Sequence, residues 1–317
     1  MANRLSLNEK VMPFVKELMN NEQLLKVHVT KINGATIIDC GLKAEGSIKA
    51  GLLFTKITLG GMGDVQILFP TDAKQSPFPV VQVMTSHPVL ATLGCQAASW
   101  NINKEGFFGM ASGPGRVLAQ KPSKIFKKIN YTEENKTAVL CIESATYPSE
   151  EVIDYLAKKC AVQKENLYLL LIKTASIVEY IQMAARAIEL GMFRLVEQLN
   201  YPKEHILYAL GAGRIPPFIA EEERSNDRIN NALIYGTQLY LIIRSEPEDD
   251  IEKLVEKMIS KASENYGKRF LTVFNEAGGT FENFDLSLLA PTEVIINDSR
   301  TGKLFQAGEI NLKQLKD

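Results

Sequence analysis

The chain is poor in the residues that build metal sites and disulfide frameworks. Of its 317 residues only four are cysteine and three are histidine, and no two cysteines form a CxxC pair. Widely spaced cysteines without such a pair are typical of a reducing compartment, so we expect a cytoplasmic protein. Isolated histidines without an HExxH motif argue against a dedicated zinc site. The sequence therefore predicts chemistry without a metal, from carboxylates, hydroxyls, backbone amides and arginine.

The chain also lacks long apolar runs and an excess of one charge. Its formal net charge is −1, from 36 basic and 37 acidic residues without a block of like charges. This balance predicts no nucleic-acid partner. Apolar runs such as Leu167–Ile172 are far too short to cross a bilayer, so no membrane partner is expected. A hydrophobic content of 45% is ordinary for a soluble globular protein, and the length allows two domains.

Strand and helix patterns alternate along the chain. An Asn33-Gly34 pair between two β-rich runs predicts a hairpin. Further patterns predict a first helix that begins at Ser6 or Asn8, strands over 52–59, 65–69, 80–85, 138–142, 167–172 and 231–243, helices over 88–100, 149–159, 176–199 and 251–266, and a closing hairpin over 293–305. The alternation of strand and helix after residue 138 is typical of an α/β fold.

The polar and basic stretch 120–136 is the candidate domain boundary. We therefore predict an α/β fold of mixed α+β character, with two α/β domains. The first would span residues 1–130 and the second residues 131–317. A C-terminal hairpin over about 290–317 would pack back on the first domain.

The segment from Thr174 to Arg194 contains the most suggestive side chains. Arg186 and Glu189 are three residues apart, so they lie on one face of a helix and can touch. A guanidinium beside a carboxylate favours the ionised form, which can act as a general base. On spacing alone, the exposed side of an amphipathic helix is the simpler interpretation.

Three glycine-dense segments occur at 60–63, 109–116 and 211–214. None fits a P-loop or a dinucleotide-binding fingerprint. The most suggestive is the loop with Ser112, Gly113, Gly115 and Arg116. Its glycines would let a ligand approach the backbone, and its arginine could bind a carboxylate, phosphate or ring carbonyl. A tight turn with a surface arginine is the alternative.

Six motifs occur in order along essentially the whole chain. They are NGATIIDCG (33–41) with GSIKAG (46–51), GGMG (60–63), HPVLATLGCQAASW (87–100), GFFGMASGPGRVLA (106–119), T-x-S…Q-x-x-AR-x-x-E (174–189) and NDSRTGKLFQAGEIN (297–311). Together they resemble the methenyltetrahydromethanopterin cyclohydrolases, C1-pathway enzymes of methanogens and some methylotrophs. The Arg186 and Glu189 pair coincides with the arginine and glutamate that this family uses in catalysis, which reverses the simpler interpretation of the helix.

The resemblance implies reversible hydrolysis of the cationic methenyl bridge of a reduced pterin to a formyl group. Glu189 would be the general base for water, and Arg186 would hold and tune it. The substrate would be bound by Ser112, Gly113, Gly115, Arg116, Thr174, Ser176, Gln182 and Asn230. The resemblance also implies a cleft between two α/β domains, a cytoplasmic homotrimer and no cofactor, because the tetrahydromethanopterin derivative is the substrate.

Some positions depart from the family pattern. Glu179-Tyr180 replaces a Gly-Ser pair, residues 214–217 replace an API-like stretch, and Asn231 replaces an aspartate after Asn230. These changes suggest the same chemistry on another pterin carrier, such as a folate or a dephospho-type methanopterin. A third interpretation is a non-catalytic pterin-binding paralogue in which Glu179 competes for Arg186.

Overall fold

The computed structural model describes residues 6–70 and 76–316. The chain divides into two units, and each is built around one six-stranded sheet. The first unit contains the described part of Met1–Asp64 together with Val89–Gln182. The second contains the described part of Val65–Pro88 and Met183–Asp317. Strands and helices in both units confirm the α/β class with mixed sheets. A division at residue 130 falls inside the first unit, because strands from both sides of that position pair in its sheet.

The strands follow one another through both units. They are β1 (His28–Ile32), β2 (Ala35–Gly41), β3 (Gly63–Leu68), β4 (Val80–Thr85), β5 (Trp100–Lys104), β6 (Phe107–Ser112), β7 (Ala138–Ser144), β8 (Leu167–Ile172), β9 (Ile206–Arg214), β10 (Thr237–Ile243), β11 (Glu293–Asp298) and β12 (Lys303–Gly308). The predicted hairpins at Asn33-Gly34 and at the C-terminal end are confirmed as β1–β2 and β11–β12.

Helices separate most of these strands. They are α1 (Leu7–Asn20), α2 (Glu22–Leu25), α3 (Ile48–Thr58), α4 (Gly115–Ala119), α5 (Ser123–Ile129), α6 (Glu150–Cys160), α7 (Ile177–Ala184), α8 (Ala187–Met192), α9 (Glu222–Gly236), α10 (Ile251–Lys257), α11 (Phe270–Glu276) and α12 (Lys313–Lys316). Leu90–Gln96 and Phe193–Gln198 are π-helical, and Lys164–Asn166, Lys203–His205 and Ser260–Ala262 are 3₁₀ turns. Among the described residues no helix is long and apolar enough to cross a membrane.

The sheet of the first unit has the strand order β1-β2-β8-β7-β6-β5. The central strands β2, β8 and β7 run parallel, and the outer ones pair antiparallel. Every residue of β2 is buried, as expected for a parallel strand that is covered on both faces. Side chains of α6 pack on one face of this sheet, and those of α1 and α3 pack on the other.

The strand predicted over 52–59 was wrong, because these residues belong to α3. Ser47 caps this helix by accepting a hydrogen bond from the amide of Ala50. Leu53, Phe54 and Ile57 are buried at helical spacing. The β-branched and aromatic content suggested a strand, but burial of one helical face determines the structure. The first helix does begin with Ser6 as its cap, as predicted.

The sheet of the second unit has the order β12-β11-β10-β9-β4-β3. β10 and β11 run parallel, whereas β9 pairs antiparallel with both β10 and β4. The strand predicted over 231–243 is half wrong, because α9 continues to Gly236 and β10 begins at Thr237. The first part of this apolar run forms the buried end of α9, and the second part forms β10.

The helix predicted over 176–199 is interrupted. α7 ends at Ala184, α8 begins at Ala187, and a π-helical segment follows from Phe193. Arg186 occupies the turn with φ −91° and ψ 5°. This region of backbone space is sparsely populated and is used by many active-site residues.

Candidate functional site

The predicted contact between Arg186 and Glu189 is present in the structure. The guanidinium Nη1 lies 2.7 Å from the carboxylate Oε2. Arg186 precedes the first turn of α8, and Glu189 lies within that turn. The two side chains are 8% and 14% exposed, so water screens the pair weakly. The result is a largely buried ion pair in which the carboxylate is held by the guanidinium.

Glycines of the second sheet determine how closely α8 approaches the strands. Gly213 of β9 lies against the backbone of Ala184, where any Cβ would collide with the carbonyl oxygen. A Cβ at Gly211 would lie 2.7 Å from Cγ1 of Ile188. The glycine-dense segment 211–214 lies in strand β9 and is not a turn. Because Gly211 and Gly213 have no side chains, β9 can pack closely against the backbone on both sides of Arg186.

This arrangement suits proton abstraction. One carboxylate oxygen of Glu189 accepts a hydrogen bond from the guanidinium, which holds the side chain in one orientation. The Glu189 side chain is 14% exposed, and a carboxylate held in this way can accept a proton from a small molecule such as water. The arginine stabilises the negative charge and does not need to contact that molecule.

Three of the predicted binding residues lie beyond the carboxyl ends of the parallel strands of the first unit, where ligands bind in open α/β sheets. The Thr174 hydroxyl donates to Oε1 of Glu143 at the end of β7, at 2.7 Å. Ser176 caps α7 by accepting a hydrogen bond from the amide of Glu179, at 3.1 Å. Gln182 Nε2 donates to Oε2 of Glu179, at 2.7 Å, and both side chains are buried.

Sequence reasoning missed the roles of Glu143 and Glu179 as partners of these side chains. A signal was available for Glu143, because it is a charged residue at the end of a buried apolar strand. Glu179 was recognised as a departure from the family pattern and as a competitor for Arg186, but not as a partner of Gln182. In the structure its carboxylate orients the Gln182 amide from one helical turn away.

The loop that follows β6 holds the π-helical turn Leu90–Gln96. Ser112 donates its hydroxyl to the carbonyl of Cys141 at 3.2 Å. Gly113 has φ +92°, which only glycine adopts readily, and its amide donates to Cys95 at 2.7 Å. Gly115 opens α4. Val139, Leu140 and Cys141 adjoin this loop, and Glu143 lies two residues beyond Cys141, roughly 7 Å along β7 at the usual strand rise. The loop and Thr174 therefore contact β7 at positions two residues apart, Cys141 and Glu143.

Arg116 is not the surface arginine that a simple turn would carry, because it is fully buried. Its Nη1 donates to the carbonyls of Leu93, Gly94 and Cys95 at 3.2–3.4 Å. Nε donates to the carbonyl of Lys121 and Nη2 to the hydroxyl of Ser99. All three guanidinium nitrogens thus hold the π-helical turn and its surroundings. Ligand binding by Arg116 stays a prediction.

Asp39 organises the loop after β2. Its carboxylate accepts hydrogen bonds from four successive amides at 2.7–3.0 Å, from residues 41–44, and from the Tyr147 hydroxyl at 2.6 Å. Burial alone would raise the pKa of Asp39, but these hydrogen bonds bring it below its ordinary value of 3.8. The carboxylate and Tyr147 also line a cavity of about 460 Å³. This aspartate is a structural centre of the loop.

Asn230, the last predicted binding residue, lies on α9 in the second unit. Its Nδ2 donates to the carbonyl and to Oδ1 of Asn226, at 2.9 and 2.8 Å. Within the part of the chain that the structure describes, no three His, Cys, Asp or Glu side chains are grouped to hold a metal ion.

Comparison with known proteins identifies the family. The family model Cyclohydrolase (MCH) matches residues 6–317. A methenyltetrahydromethanopterin cyclohydrolase of Methanocaldococcus jannaschii is 42% identical over 314 residues, which cover 98% of this chain and 97% of that protein. One from Methanothermobacter marburgensis is 40% identical over 308 residues, 96% of each chain. The predicted resemblance is confirmed: the chain belongs to the cyclohydrolase (MCH) family and is a hydrolase of the class that opens a cyclic C–N bond.

Proposed function

We propose that this protein hydrolyses the methenyl bridge of methenyltetrahydromethanopterin to formyltetrahydromethanopterin, reversibly. Relatives of that name match 96–98% of the chain at about 40% identity. The observation that carries the chemistry is the contact of 2.7 Å between Arg186 and Glu189. This contact supports Glu189 as the carboxylate base, which is the role that the family resemblance implies for this position.

The methenyl carbon is the centre of a delocalised amidinium cation, so it needs no covalent activation. Glu189 accepts a proton from water while the water oxygen bonds to this carbon. One C–N bond of the resulting hydroxyl adduct then breaks. The hydroxyl loses its proton as the formyl C=O forms, and the leaving nitrogen gains one. Glu189 returns its proton to solvent, so one proton is released overall. A positioned base of this kind contributes about 10²–10⁴ in rate. Arg186 stays on the far side of the carboxylate, because contact with the substrate cation would be repulsive.

The remaining roles follow from the family resemblance. Thr174, Ser176, Gln182, Asn230 and the 112–116 loop orient the pterin and the water by hydrogen bonds. Glu143 and Glu179 support this role by fixing Thr174 and Gln182. No cofactor takes part, because the pterin derivative is the substrate. The enzyme works as a cytoplasmic homotrimer.

Loss of the methenyl absorbance band tests the reaction and the carrier together. The purified protein is offered methenyltetrahydromethanopterin and, separately, methenyltetrahydrofolate. We expect turnover of the first with kcat/KM at least tenfold above that for the second. A higher kcat/KM for methenyltetrahydrofolate would mean that the natural carrier is a folate, while the proposed hydrolysis of a methenyl bridge would still hold. Pterin binding without loss of the band would contradict the proposed hydrolysis and favour a non-catalytic paralogue.

A further inference from the structure

The segment 116–130 concentrates positive charge in a chain that is otherwise balanced. It contains five basic residues and no acidic one, whereas the whole chain has a formal net charge of −1. The basic residues are Arg116, Lys121, Lys124, Lys127 and Lys128. A solvated surface usually mixes both signs of charge, so that neighbouring side chains can pair. A patch of one sign instead attracts ligands of the opposite sign.

Three of these lysines form no ion pair with any of the described residues 6–70 and 76–316. Lys121 is half-buried and precedes α5. Lys124 and Lys127 are exposed on α5, three residues apart and therefore on one face of the helix. The opposite face of this helix is buried through Ile125 and Phe126. The amino groups of the three lysines are thus available to an anion from outside the chain.

The nearest carboxylate along the chain is already bound to another helix. Glu133 accepts hydrogen bonds from the amides of Leu7 and Asn8 at 2.9 and 3.1 Å, and from the hydroxyl of Ser6 at 3.0 Å. It thereby satisfies the amide groups at the start of α1. Its charge is committed there and does not neutralise the lysines of α5.

The stability of α5 does not account for its lysines either. Lys127 lies in the last turn, where a cation favours the helix dipole. Lys124 lies in the first turn and Lys121 just before it, where a cation is unfavourable. Like charges on one helical face also repel each other. These positions therefore gain free energy from an anion that the described chain does not supply.

A single buried side chain joins these lysines to the loop that orients the pterin in the proposed function. Nε of Arg116 donates to the carbonyl of Lys121 at 3.0 Å. The guanidinium carbon of Arg116 lies 5.6 Å from the ring centroid of Phe126 in α5. Nη1 donates to carbonyls of the π-helical turn Leu90–Gln96. The start of the lysine segment is therefore fixed next to the 112–116 loop.

We propose that Lys121, Lys124 and Lys127 form a subsite, the lysine subsite, for the acidic tail of the reduced pterin carrier. Carriers of the folate and methanopterin types carry carboxylate groups on the tail, and the methanopterin tail adds a phosphate. A lysine ammonium is a point charge that pairs with either group. The methenyl bridge lies at the pterin end of the carrier, so the subsite contributes to binding and not to the chemical step. The inference rests on the proposed function for its substrate class.

Equilibrium binding of tetrahydromethanopterin, measured by calorimetry, tests the subsite without turnover. The variant Lys124→Glu/Lys127→Glu reverses two exposed charges with residues that also favour helix. We expect its Kd at low salt to be about tenfold higher or more, because two attractive contacts become repulsive. The matched control Lys158→Glu/Lys261→Glu reverses two exposed charges elsewhere and should bind like the native protein. An equal Kd for the native protein and Lys124→Glu/Lys127→Glu would overturn the inference.

Two further binding measurements separate the effect of charge from an effect on structure. Lys124→Arg/Lys127→Arg keeps both charges and should bind within about twofold of the native protein. In 1 M KCl the screening length falls to about 3 Å, so the defect of the glutamate variant should shrink. A defect that persists unchanged in 1 M KCl would contradict the subsite. An arginine variant that binds as weakly as the glutamate variant would also contradict it.

Turnover of methenyl carriers distinguishes failure of this inference from failure of the proposed function. With the complete carrier, the glutamate variant should have a raised KM and a kcat within about twofold of native. With a carrier truncated before its acidic tail, the two proteins should have equal kcat/KM. Native turnover with an unchanged KM in the variant would overturn the subsite and leave the hydrolysis intact. No turnover, together with weaker and salt-dependent binding in the variant, would support the subsite and contradict the hydrolysis.

Discussion

Arg186 occupies a break between two helices, and this break fixes the direction of its side chain. Its carbonyl accepts from the amide of Leu190, and its amide donates to the carbonyl of Met183. The backbone is therefore held from both sides while the guanidinium contacts Glu189 one turn ahead. A pair anchored in this way would lose little side-chain entropy in the proposed step, in which it orients a water molecule.

The contact itself was predictable from a spacing of three residues, but the break was not. The sequence 176–199 is helical in composition throughout, and nothing local marks Ala185 and Arg186 as a turn. The break follows from packing, because Gly213 and Gly211 bring β9 against the backbone on either side of it. Such a constraint joins residues about 25 positions apart and has no local signature.

Asp39 leads to a prediction on the pH dependence of stability. In Asp39→Asn, the amide group faces backbone N–H donors that the carboxylate now satisfies. Each donor left unpaired costs about 1–3 kcal/mol of unfolding free energy. The folded-state pKa of Asp39 lies below its ordinary value of 3.8. Its ionisation therefore stabilises the fold fully above that pH, and the effect is lost as pH falls through the lower folded value.

Urea unfolding at pH 7, 5, 4 and 3 checks this prediction. The native protein should be more stable than Asp39→Asn at pH 7 and 5, and the difference should shrink at pH 3. A difference that is absent, or that does not change with pH, would mean that the Asp39 carboxylate does not organise the loop.

At the scale of elements, the π-helical turn Leu90–Gln96 depends on a side chain from another element. A helix over 88–100 was predicted from small residues, but Trp100 already begins β5. The sequence showed Arg116 beside glycines and suggested a ligand. Only the fold shows that the guanidinium meets the carbonyls of this turn. The local sequence pattern therefore singled out Arg116, but it could not predict the carbonyl groups that accept hydrogen bonds from its guanidinium.

Replacement of Arg116 should destabilise this turn strongly. Arg116→Met keeps most of the side-chain volume but leaves buried carbonyls without their donor, at about 1–3 kcal/mol each. We expect a loss of about 3 kcal/mol or more in unfolding free energy. Ser99→Ala removes only one partner of the guanidinium and should cost about 1 kcal/mol. Guanidinium chloride unfolding of both variants makes the comparison. Equal, small losses would contradict a structural role for Arg116.

At the scale of the whole molecule, a segment from the first third of the chain belongs to the sheet of the second unit. β3 and β4 come from the first third of the chain but lie in the sheet of the second unit, next to β9. Local patterns found both strands, yet they predicted one boundary near residue 130. Strand pairing over more than 100 residues depends on register and burial, which local periodicity does not record.

Family membership was evident from the order of six motifs, whereas the supports of the site needed coordinates. The motifs located Arg186, Glu189 and Thr174, and the contact of the pair agrees with the proposed base. Only the structure shows that Glu143 accepts a hydrogen bond from Thr174 and that Glu179 accepts one from Gln182. The sequence motifs thus indicate the family, and the structure shows which residues hold Thr174 and Gln182 in place.

The central claim is that Glu189 is the general base of a methenyl hydrolysis. The most direct test is the initial rate of methenyl absorbance loss for the native protein, Glu189→Gln and the control Glu252→Gln on the exposed side of α10. Circular dichroism confirms that all three are folded. We predict that Glu189→Gln is slower by about 10² or more, while the control equals the native protein. Equal rates for Glu189→Gln and the native protein would contradict the claim.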